Sequence, residues 1–422
     1  MTARNAIALG IVVALVAAGA FLVWASAPSL DPVDPPTHAS FPADVVERGA
    51  RLAALGDCIV CHTAVGGAAY AGGRPLETPF GVLYGTNITP APERGIGRWS
   101  EAAFVRAMRA GLDREGHHLY PAFPYDHFRL IGDDDLHALY AYIMTREPVD
   151  AAPPPNRLRF PFNVRPLVAV WKALYLDRGR VERDGARDAA WQRGAYLVAG
   201  VAHCGACHTP RNRLGAEELD RAYEGGEAEG WDAPALTRAF ARPWQPDDLQ
   251  RYLRGALPHE HGGAAGPMAP VTRDLAQAAD ADVQAIVAYV GALRKDTGAA
   301  AQPPAGATAS EAGRALYEGA CAACHEGGGD AGGALDLANS SLAALPSPRN
   351  LFRVILHGLA PQQGERGPWM PAFAGAFSDA ETIELAQYVR GRFAHLAPWS
   401  DPSAILREVT RTPDERAVSG GP

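Results

Sequence analysis

The stretch CIVCH at residues 58–62 decides how this chain is organised, because the same pattern returns twice. It recurs as CGACH at 204–208 and as CAACH at 321–325. The three motifs contain all six cysteines of the 422-residue chain, so no cysteine is left over for a structural disulfide. In each motif two thiols lie about one helical turn apart, and a histidine follows directly.

Cys-x-x-Cys-His is the attachment pattern of a c-type haem. The two thiols can add to the two vinyl groups of one haem, and the adjacent imidazole then faces the iron. The candidate haem-attaching residues are Cys58, Cys61, Cys204, Cys207, Cys321 and Cys324, with His62, His208 and His325 as first axial ligands. A zinc site would need further Cys or His ligands at fixed spacing, and a thioredoxin-like motif would need a βαβ setting. The sequence therefore predicts three covalently bound haems c.

The motifs belong to a longer internal repeat of about 85–110 residues. Each copy has a short helix that leads into the motif, then a Gly/Pro-rich stretch, a middle helix, and a closing helix that starts with acidic residues. The closing helices read DDDLHALYAYIM, DADVQAIVAYV and SDAETIELAQYV. Their apolar residues recur at helical spacing, and Asp or Ser supplies an N-cap.

The repeat sets the expected boundaries. We predict a signal-anchor at 1–27, a tether at 28–42, repeats at 43–150, 189–295 and 311–397, a connecting segment at 151–188, a flexible linker at 296–310 and a tail at 398–422. The connecting segment contains RFPFNVRPLVAVWKALYL, which is apolar but too short and too charged to span a bilayer. We expect it to pack against a neighbouring domain or a partner.

Methionine is a common second axial ligand of a haem in electron-transfer proteins. The chain has five methionines. Met268 lies in GPMAP, 60 residues after His208, and Met370 lies in PWMPAF, 45 residues after His325. Both precede the closing helix in Gly/Pro-rich sequence, which favours ligation over packing.

The first repeat departs from this pattern. The equivalent position is Phe123, which cannot bind iron. Met108 and Met144 align with core or helix-end positions of the other repeats. The favoured second ligand is His127, with His117 or His118 as alternatives and an open or otherwise ligated iron as a further possibility.

Composition and the amino terminus place the protein at a membrane. Hydrophobic content of 47% and a charged fraction of 20% indicate a globular chain, and a net charge of −8 argues against nucleic-acid binding. Residues 6–24 form an uncharged apolar run preceded by Arg4. Its length and flanking charges predict a retained membrane anchor with the remaining chain outside the cytoplasm, although Ala25-Ser26-Ala27 resembles a signal-peptidase site.

Three long stretches resemble the triheme cytochrome c subunits of membrane-bound periplasmic dehydrogenases. They are residues 74–111, 203–215 and 266–271, one in each of the first two repeats and one before the second closing helix. The resemblance implies an all-α fold of three class I cytochrome c domains. It also implies transfer of electrons from a dehydrogenase subunit to ubiquinone, a small cytochrome or a terminal oxidase.

The family has two partner types, and one motif separates them. Cytochromes that serve pyrroloquinoline-quinone enzymes usually read YPAMPY, whereas this chain reads YPAFPYDHF at 120–128. The resemblance therefore favours a molybdenum-cofactor hydroxylase with an iron–sulfur subunit, which oxidises aldehydes or N-heterocycles. The chain shows no catalytic apparatus of its own outside the haem sites. A haem enzyme with an open first iron and a soluble electron shuttle are the alternatives.

Overall fold

The structure is a computed structural model. It describes residues 3–176, 185–237, 244–256, 261–293, 310–326, 335–359 and 369–411. The chain divides into two compact units. The first comprises residues 1–206 and 211–219, and the second comprises residues 207–210 and 220–422, so their boundary passes through the second cysteine motif. The predicted linker at 296–310 lies outside the described residues except for Ser310.

The first unit is built mainly from helices. They are α1 (Ala3–Trp24), α2 (Ala43–Leu55), α3 (Cys58–Cys61), α4 (Glu101–Ala110), α5 (Tyr125–Phe128), α6 (Asp133–Met144), α7 (Val168–Tyr175) and α8 (Ala189–Tyr196). Helix α1 has 22 residues and no buried side chain. Its length and hydropathy suffice for a membrane span, a test that signal sequences also pass.

Gly49 allows two helices of the first repeat to approach closely. Helices α2 and α6 cross at Gly49, where an added Cβ would lie 1.9 Å from the carbonyl oxygen of Ala138. The short distance lets the two backbones touch. Between them in sequence, α4 is capped by Ser100, whose side chain accepts a hydrogen bond from the amide of Ala103.

The helical prediction is right in outline, but the fold is not strictly all-α. Strands β1 (Pro75–Thr78) and β2 (Gly81–Tyr84) form an antiparallel hairpin, and β3 (Arg157–Leu158) from the connecting segment pairs with β2. The physical reason is the turn between β1 and β2. Gly81 has a φ of 125°, which residues with a Cβ rarely adopt, and an added Cβ there would strike the Arg157 carbonyl oxygen.

The predicted tether is not a free one. Its first part lies along the first repeat, where the Leu30 amide donates to the Arg114 carbonyl and the Val33 amide donates to the Arg98 carbonyl. The Arg106 guanidinium donates to the Pro28 carbonyl at 2.7 Å. Segment 28–33 is therefore part of the body of the first unit.

The second unit continues the helical series. Helix α9 (Gly205–His208) crosses the unit boundary, and α10 (Pro246–Leu253), α11 (Met268–Leu275), α12 (Asp280–Leu293), α13 (Glu311–Ala320), α14 (Ala322–His325), α15 (Arg349–His357), α16 (Asp379–Val389) and α17 (Pro402–Arg411) follow. A second hairpin joins β4 (Gly226–Ala228) to β5 (Trp231–Ala233). The third repeat also crosses its outer helices at a glycine, since a Cβ on Gly313 would lie 2.6 Å from the Glu384 carbonyl oxygen.

The segment after residue 397, for which the sequence predicts no structure, contributes to the core of the third repeat. Leu406 and Val409 of α17 are buried in one cluster with Trp399 and with residues of α15 and α16. The Trp399 indole donates to the Leu345 carbonyl at 3.1 Å. The third repeat thus ends at α17 rather than at 397.

Candidate haem-binding sites

Each cysteine motif forms a single helical turn, in α3, α9 and α14. The chain enters the first two turns through a left-handed residue, Asp57 at φ 52° and His203 at φ 36°. The six thiols are half-buried apart from the exposed Cys324. Helix α3 contains both cysteines of its motif, whereas Cys204 and Cys321 directly precede α9 and α14.

The three motif histidines share one hydrogen-bond arrangement. His62 Nδ1 bonds the Thr86 carbonyl oxygen, His208 Nδ1 bonds the Pro234 carbonyl oxygen, and His325 Nδ1 bonds the Leu335 carbonyl oxygen, each at 2.7 Å. A carbonyl oxygen only accepts, so each Nδ1 carries the proton and Nε2 keeps its lone pair. This is the second contact by which proteins orient a metal-binding imidazole. The residues present therefore fit a haem iron at Nε2 in all three repeats.

Burial favours the form of the ring that binds metal. It lowers the pKa of both His62 and His208, against a smaller opposite effect of the Nδ1 hydrogen bond. A lowered pKa keeps the imidazole neutral near pH 7, and only the neutral ring has a lone pair for iron.

The two predicted methionine ligands lie at different points of the backbone. Met370 pairs with Leu359 in an isolated antiparallel bridge after α15. Met268 is the first residue of α11 rather than part of the predicted loop, because the helix begins directly after Pro267. Both side chains are half-buried. By contrast, Met108 and Met144 are 6% and 1% exposed inside helices, as expected for core residues.

The first repeat places Phe123 among aromatic rings. Its ring lies 5.4 Å from that of Phe128 and 6.3 Å from that of Tyr125. Phe128 in turn lies 5.3 Å from the ring of His203, which directly precedes the second motif. Phe123 thus occupies the position of the methionine in the other repeats, and its ring packs against neighbouring aromatic side chains.

His127, the favoured second ligand of the first repeat, has a partner at each ring nitrogen. Nδ1 bonds the Ala199 carbonyl oxygen at 2.7 Å, and Nε2 bonds Glu217 Oε1 at 2.8 Å. Burial alone would lower the pKa of His127, but the hydrogen bond and charge of Glu217 outweigh it and raise the pKa to about 9. Nε2 would have to leave Glu217 and lose its proton to reach an iron. Ligation by His127 stays a prediction, and the geometry favours an ion pair instead.

The alternative histidines differ in their surroundings. His117 is exposed and bonds Asp113. His118 directs Nε2 at the Ala25 carbonyl oxygen, 2.7 Å away, while its Nδ1 is buried and has no hydrogen-bond partner among the described residues. His118 thus has a buried ring nitrogen without a partner among the described residues, whereas at the exposed His117 the bond to Asp113 occupies Nδ1 alone.

Sequence reasoning missed the partners of His127. Glu217 follows it by 90 residues, and its side chain is 4% exposed. Arg211 lies 3.6 Å from the same carboxylate oxygen. Both residues sit just after the second motif, within HCGACHTPRNRLGAEE, where an acidic residue gives no local sign of burial.

Comparison with known families agrees with the repeat. A cytochrome c family model matches residues 46–147 and 192–294. A model described as cytochrome c oxidase, cbb3-type, subunit III matches residues 308–389. Cytochrome c domains bind haem c covalently, in agreement with the orientation of the motif histidines.

Individual relatives cover most of the chain. It is 46% identical to a subunit of the nicotinate dehydrogenase of Pseudomonas putida over 90% of its own length, but it spans only 33% of that longer protein. It is 35% identical to the fructose dehydrogenase cytochrome subunit of Gluconobacter japonicus, with 85% of this chain and 82% of the relative aligned. For the gluconate 2-dehydrogenase cytochrome c subunit of Pantoea cypripedii the identity is 34%, over 83% of this chain and 86% of the relative. Matches over more than four fifths of two cytochrome subunits show that the chain belongs to the family of cytochrome c subunits of dehydrogenases.

Proposed function

We propose that this chain is the triheme electron-transfer subunit of a periplasmic dehydrogenase, which passes electrons on to ubiquinone, a small cytochrome or a terminal oxidase. The observation that carries the proposal is the shared arrangement of His62, His208 and His325, each with Nδ1 held 2.7 Å from a backbone carbonyl oxygen. Three histidines oriented in the same way suit electron transfer through three haems rather than catalysis at a single centre.

The chain's own residues hold and orient the cofactors. The attaching thiols are Cys58, Cys61, Cys204, Cys207, Cys321 and Cys324. Met268 and Met370 are the proposed second ligands in the second and third repeats. When bound, haem iron supplies reversible one-electron chemistry, and a methionine ligand raises its potential. For the first repeat the sequence predicts His62 with His127, but the hydrogen bond of His127 Nε2 to Glu217 supports an ion pair of these two residues instead.

The partner is proposed to be a molybdenum-cofactor enzyme with an iron–sulfur subunit that oxidises N-heterocycles or aldehydes. YPAFPYDHF at 120–128 supports this class. So does the relative from nicotinate dehydrogenase, because nicotinate is an N-heterocycle and the identity of 46% exceeds that to the fructose and gluconate relatives. A pyrroloquinoline-quinone alcohol dehydrogenase is the alternative partner.

Helix α1 is proposed to stay attached as an anchor in the inner membrane, with the haem sites in the periplasm. The residues around the cleavage-like Ala25-Ser26-Ala27 support this, since they are part of the folded unit. Ala25 is 7% exposed, and its carbonyl accepts from His118. A Cβ on Gly116 would lie 2.1 Å from the Ala27 carbonyl oxygen, which is how closely the two segments pack.

Purification of the native complex in mild detergent tests the proposal. We expect dehydrogenase subunits, molybdenum and iron–sulfur to copurify, and nicotinate or a related N-heterocycle to reduce the haem absorption bands. Pyrroloquinoline quinone in place of molybdenum would overturn the partner class and leave the electron-transfer role standing. A chain that purifies alone and whose high-spin haem binds cyanide would overturn the electron-transfer role in favour of a haem enzyme.

A further inference from the structure

Exposed apolar side chains concentrate in the connecting segment. Outside α1, eleven large hydrophobic residues are exposed among the described residues, and six of them fall between residues 160 and 174. They are Phe160, Phe162, Val164, Leu167, Val170 and Leu174, called here the 160–174 face. Phe160 is 80% exposed. Single exposed apolar residues are ordinary, whereas six in fifteen residues indicate a contact surface.

The opposite side of the same segment is firmly packed in the first unit. Val168 and Ala169 are buried, and the Trp171 indole donates to the Leu214 carbonyl at 3.0 Å. Lys172 is buried and donates to the Ala110 carbonyl at 2.6 Å. The 160–174 face is therefore exposed because the fold presents it, and α7 is amphipathic across these two sides.

The middle of the segment and the chain just after α1 contact the same loop. The loop 113–120 contacts both elements. His118 bonds the Ala25 carbonyl, directly after the last residue of α1, while the Arg165 guanidinium lies 3.9 Å from the Asp113 carboxylate and 5.7 Å from the Tyr120 ring centre. A helix that leaves a bilayer at Trp24 brings this loop to the membrane surface, and the connecting segment with it.

The positive charge of the connecting segment favours contact with a negatively charged surface. Residues 151–176 contain no acidic residue and four basic ones, although the whole chain has a net charge of −8. Arg157 and Arg159, at the start of the face, are exposed. An apolar face with basic flanks is the pattern of segments that lie in the interfacial layer of a bilayer, where anionic headgroups attract Lys and Arg.

We propose that the 160–174 face lies in the interfacial layer of the bilayer and forms a second membrane contact besides α1. The occupant is an anionic phospholipid surface, into which Phe160, Val170 and Leu174 insert while Arg157 and Arg159 meet the headgroups. The inference rests on the proposed retention of α1, which brings the face to membrane height. Two contacts would also restrict how the first unit tilts above the membrane.

The test uses the full-length haem-loaded chain in liposomes that contain a phosphatidylcholine with a photoactivatable diazirine in its acyl chain. Intact mass first establishes whether α1 is retained. After illumination, mass spectrometry of peptides should find lipid adducts on α1 and on 157–176, and none on the peptide with the exposed Val65. Addition of phosphatidylglycerol should raise the yield at 157–176. The triple variant Phe160→Ser, Val170→Ser, Leu174→Ser should lose these adducts, while the matched control Val65→Ser should keep them.

Adducts on α1 without adducts on 157–176 would overturn the inference and leave the anchor intact. Protection of 157–176 from a water-soluble carbene reagent only when the dehydrogenase subunits are added would also overturn it, because the face would then be a protein-docking site. A chain cleaved after Ala27 would overturn the proposed anchor. In that case adducts on 157–176 would still support the membrane contact, and their absence would overturn it.

Discussion

Replacement of His127 by alanine separates its two possible roles. The ring is 9% exposed and bonds Glu217, whose side chain is 4% exposed. Among the described residues, the variant would leave the buried Glu217 carboxylate with Arg211, 3.6 Å away, as its remaining countercharge. Removal of one partner of a buried ion pair costs about 3–5 kcal/mol. The shift of the His127 pKa from 6.5 to about 9 gives a similar size, about 3 kcal/mol.

The pair also predicts a pH dependence. A raised histidine pKa stabilises the fold fully below 6.5, and the stabilisation is lost as the pH rises through about 9. Glu217 has a lowered pKa despite its burial, because His127 bonds it, so its contribution is lost only as the pH falls through that lowered value. The pair therefore contributes most in mildly acidic to neutral solution.

Thermal unfolding of the haem-loaded chain in detergent, followed by circular dichroism, measures both effects. We expect His127→Ala to lower the Tm by about 10 °C near pH 7, at roughly 2–4 °C per kcal/mol for a unit of this size. Glu217→Gln, the matched control, should flatten the decline of Tm between about pH 7 and about pH 10. Paramagnetic resonance of His127→Ala should show the same haem spin states as the unmodified chain. An unchanged Tm together with one new high-spin haem would refute this reasoning and place His127 on the iron. If the spin states do not change, His118→Ala is the next variant.

Three further outcomes follow from single contacts. Met268→Ala or Met370→Ala should each remove one methionine–iron charge-transfer band and lower one haem potential in a redox titration, and full bands in both variants would rule the ligands out. Gly49→Val should destabilise the first unit by about 3 kcal/mol or more in denaturant unfolding, because the added Cβ would overlap the backbone of α6. The control Gly10→Val in α1 should change the stability little, because an added Cβ there meets no atom outside its own helix within 4 Å. Arg349→Lys should lose the two parallel hydrogen bonds to the Glu408 carboxylate, at 2.9 and 3.1 Å, and destabilise the second unit by roughly 1–2 kcal/mol in denaturant unfolding. An unchanged denaturant midpoint would count against a stabilising role of this contact.

The periodicity of apolar residues and the capping residues predict most of the helices within the repeats. The helix that leads into each motif, the middle helix and the acidic-started closing helix are all present, and the closing helix α16 has the expected cap at Ser378. Helix α17 could have been found from the amphipathic spacing of Leu406 and Val409. It was missed because nothing in the repeat predicts a further helix at that position.

Long-range contacts were beyond the reach of the sequence. The pairing of β3 with β2 joins residues more than 70 positions apart, and His127 and Glu217 are separated by 90. From the sequence, His127 is a natural ligand candidate because it follows Phe123, where the other repeats carry methionine. The structure adds the Glu217 carboxylate that bonds the same ring nitrogen. The tether likewise has a loop-like, Pro-rich sequence, and its packing shows only in contacts with distant residues, such as the bonds of Pro28 to Arg106 and of Leu30 to Arg114.

Covalent attachment of three haems to one chain can be measured as the intact mass of the polypeptide under denaturing conditions. The protein should be matured in a host that attaches haem to Cys-x-x-Cys-His, so that every motif can be filled. We expect a polypeptide that carries three haem masses, with one mass lost when Cys321 and Cys324 are both replaced by alanine. A fully matured chain that carries two haems or fewer, or that releases haem on denaturation, would contradict it.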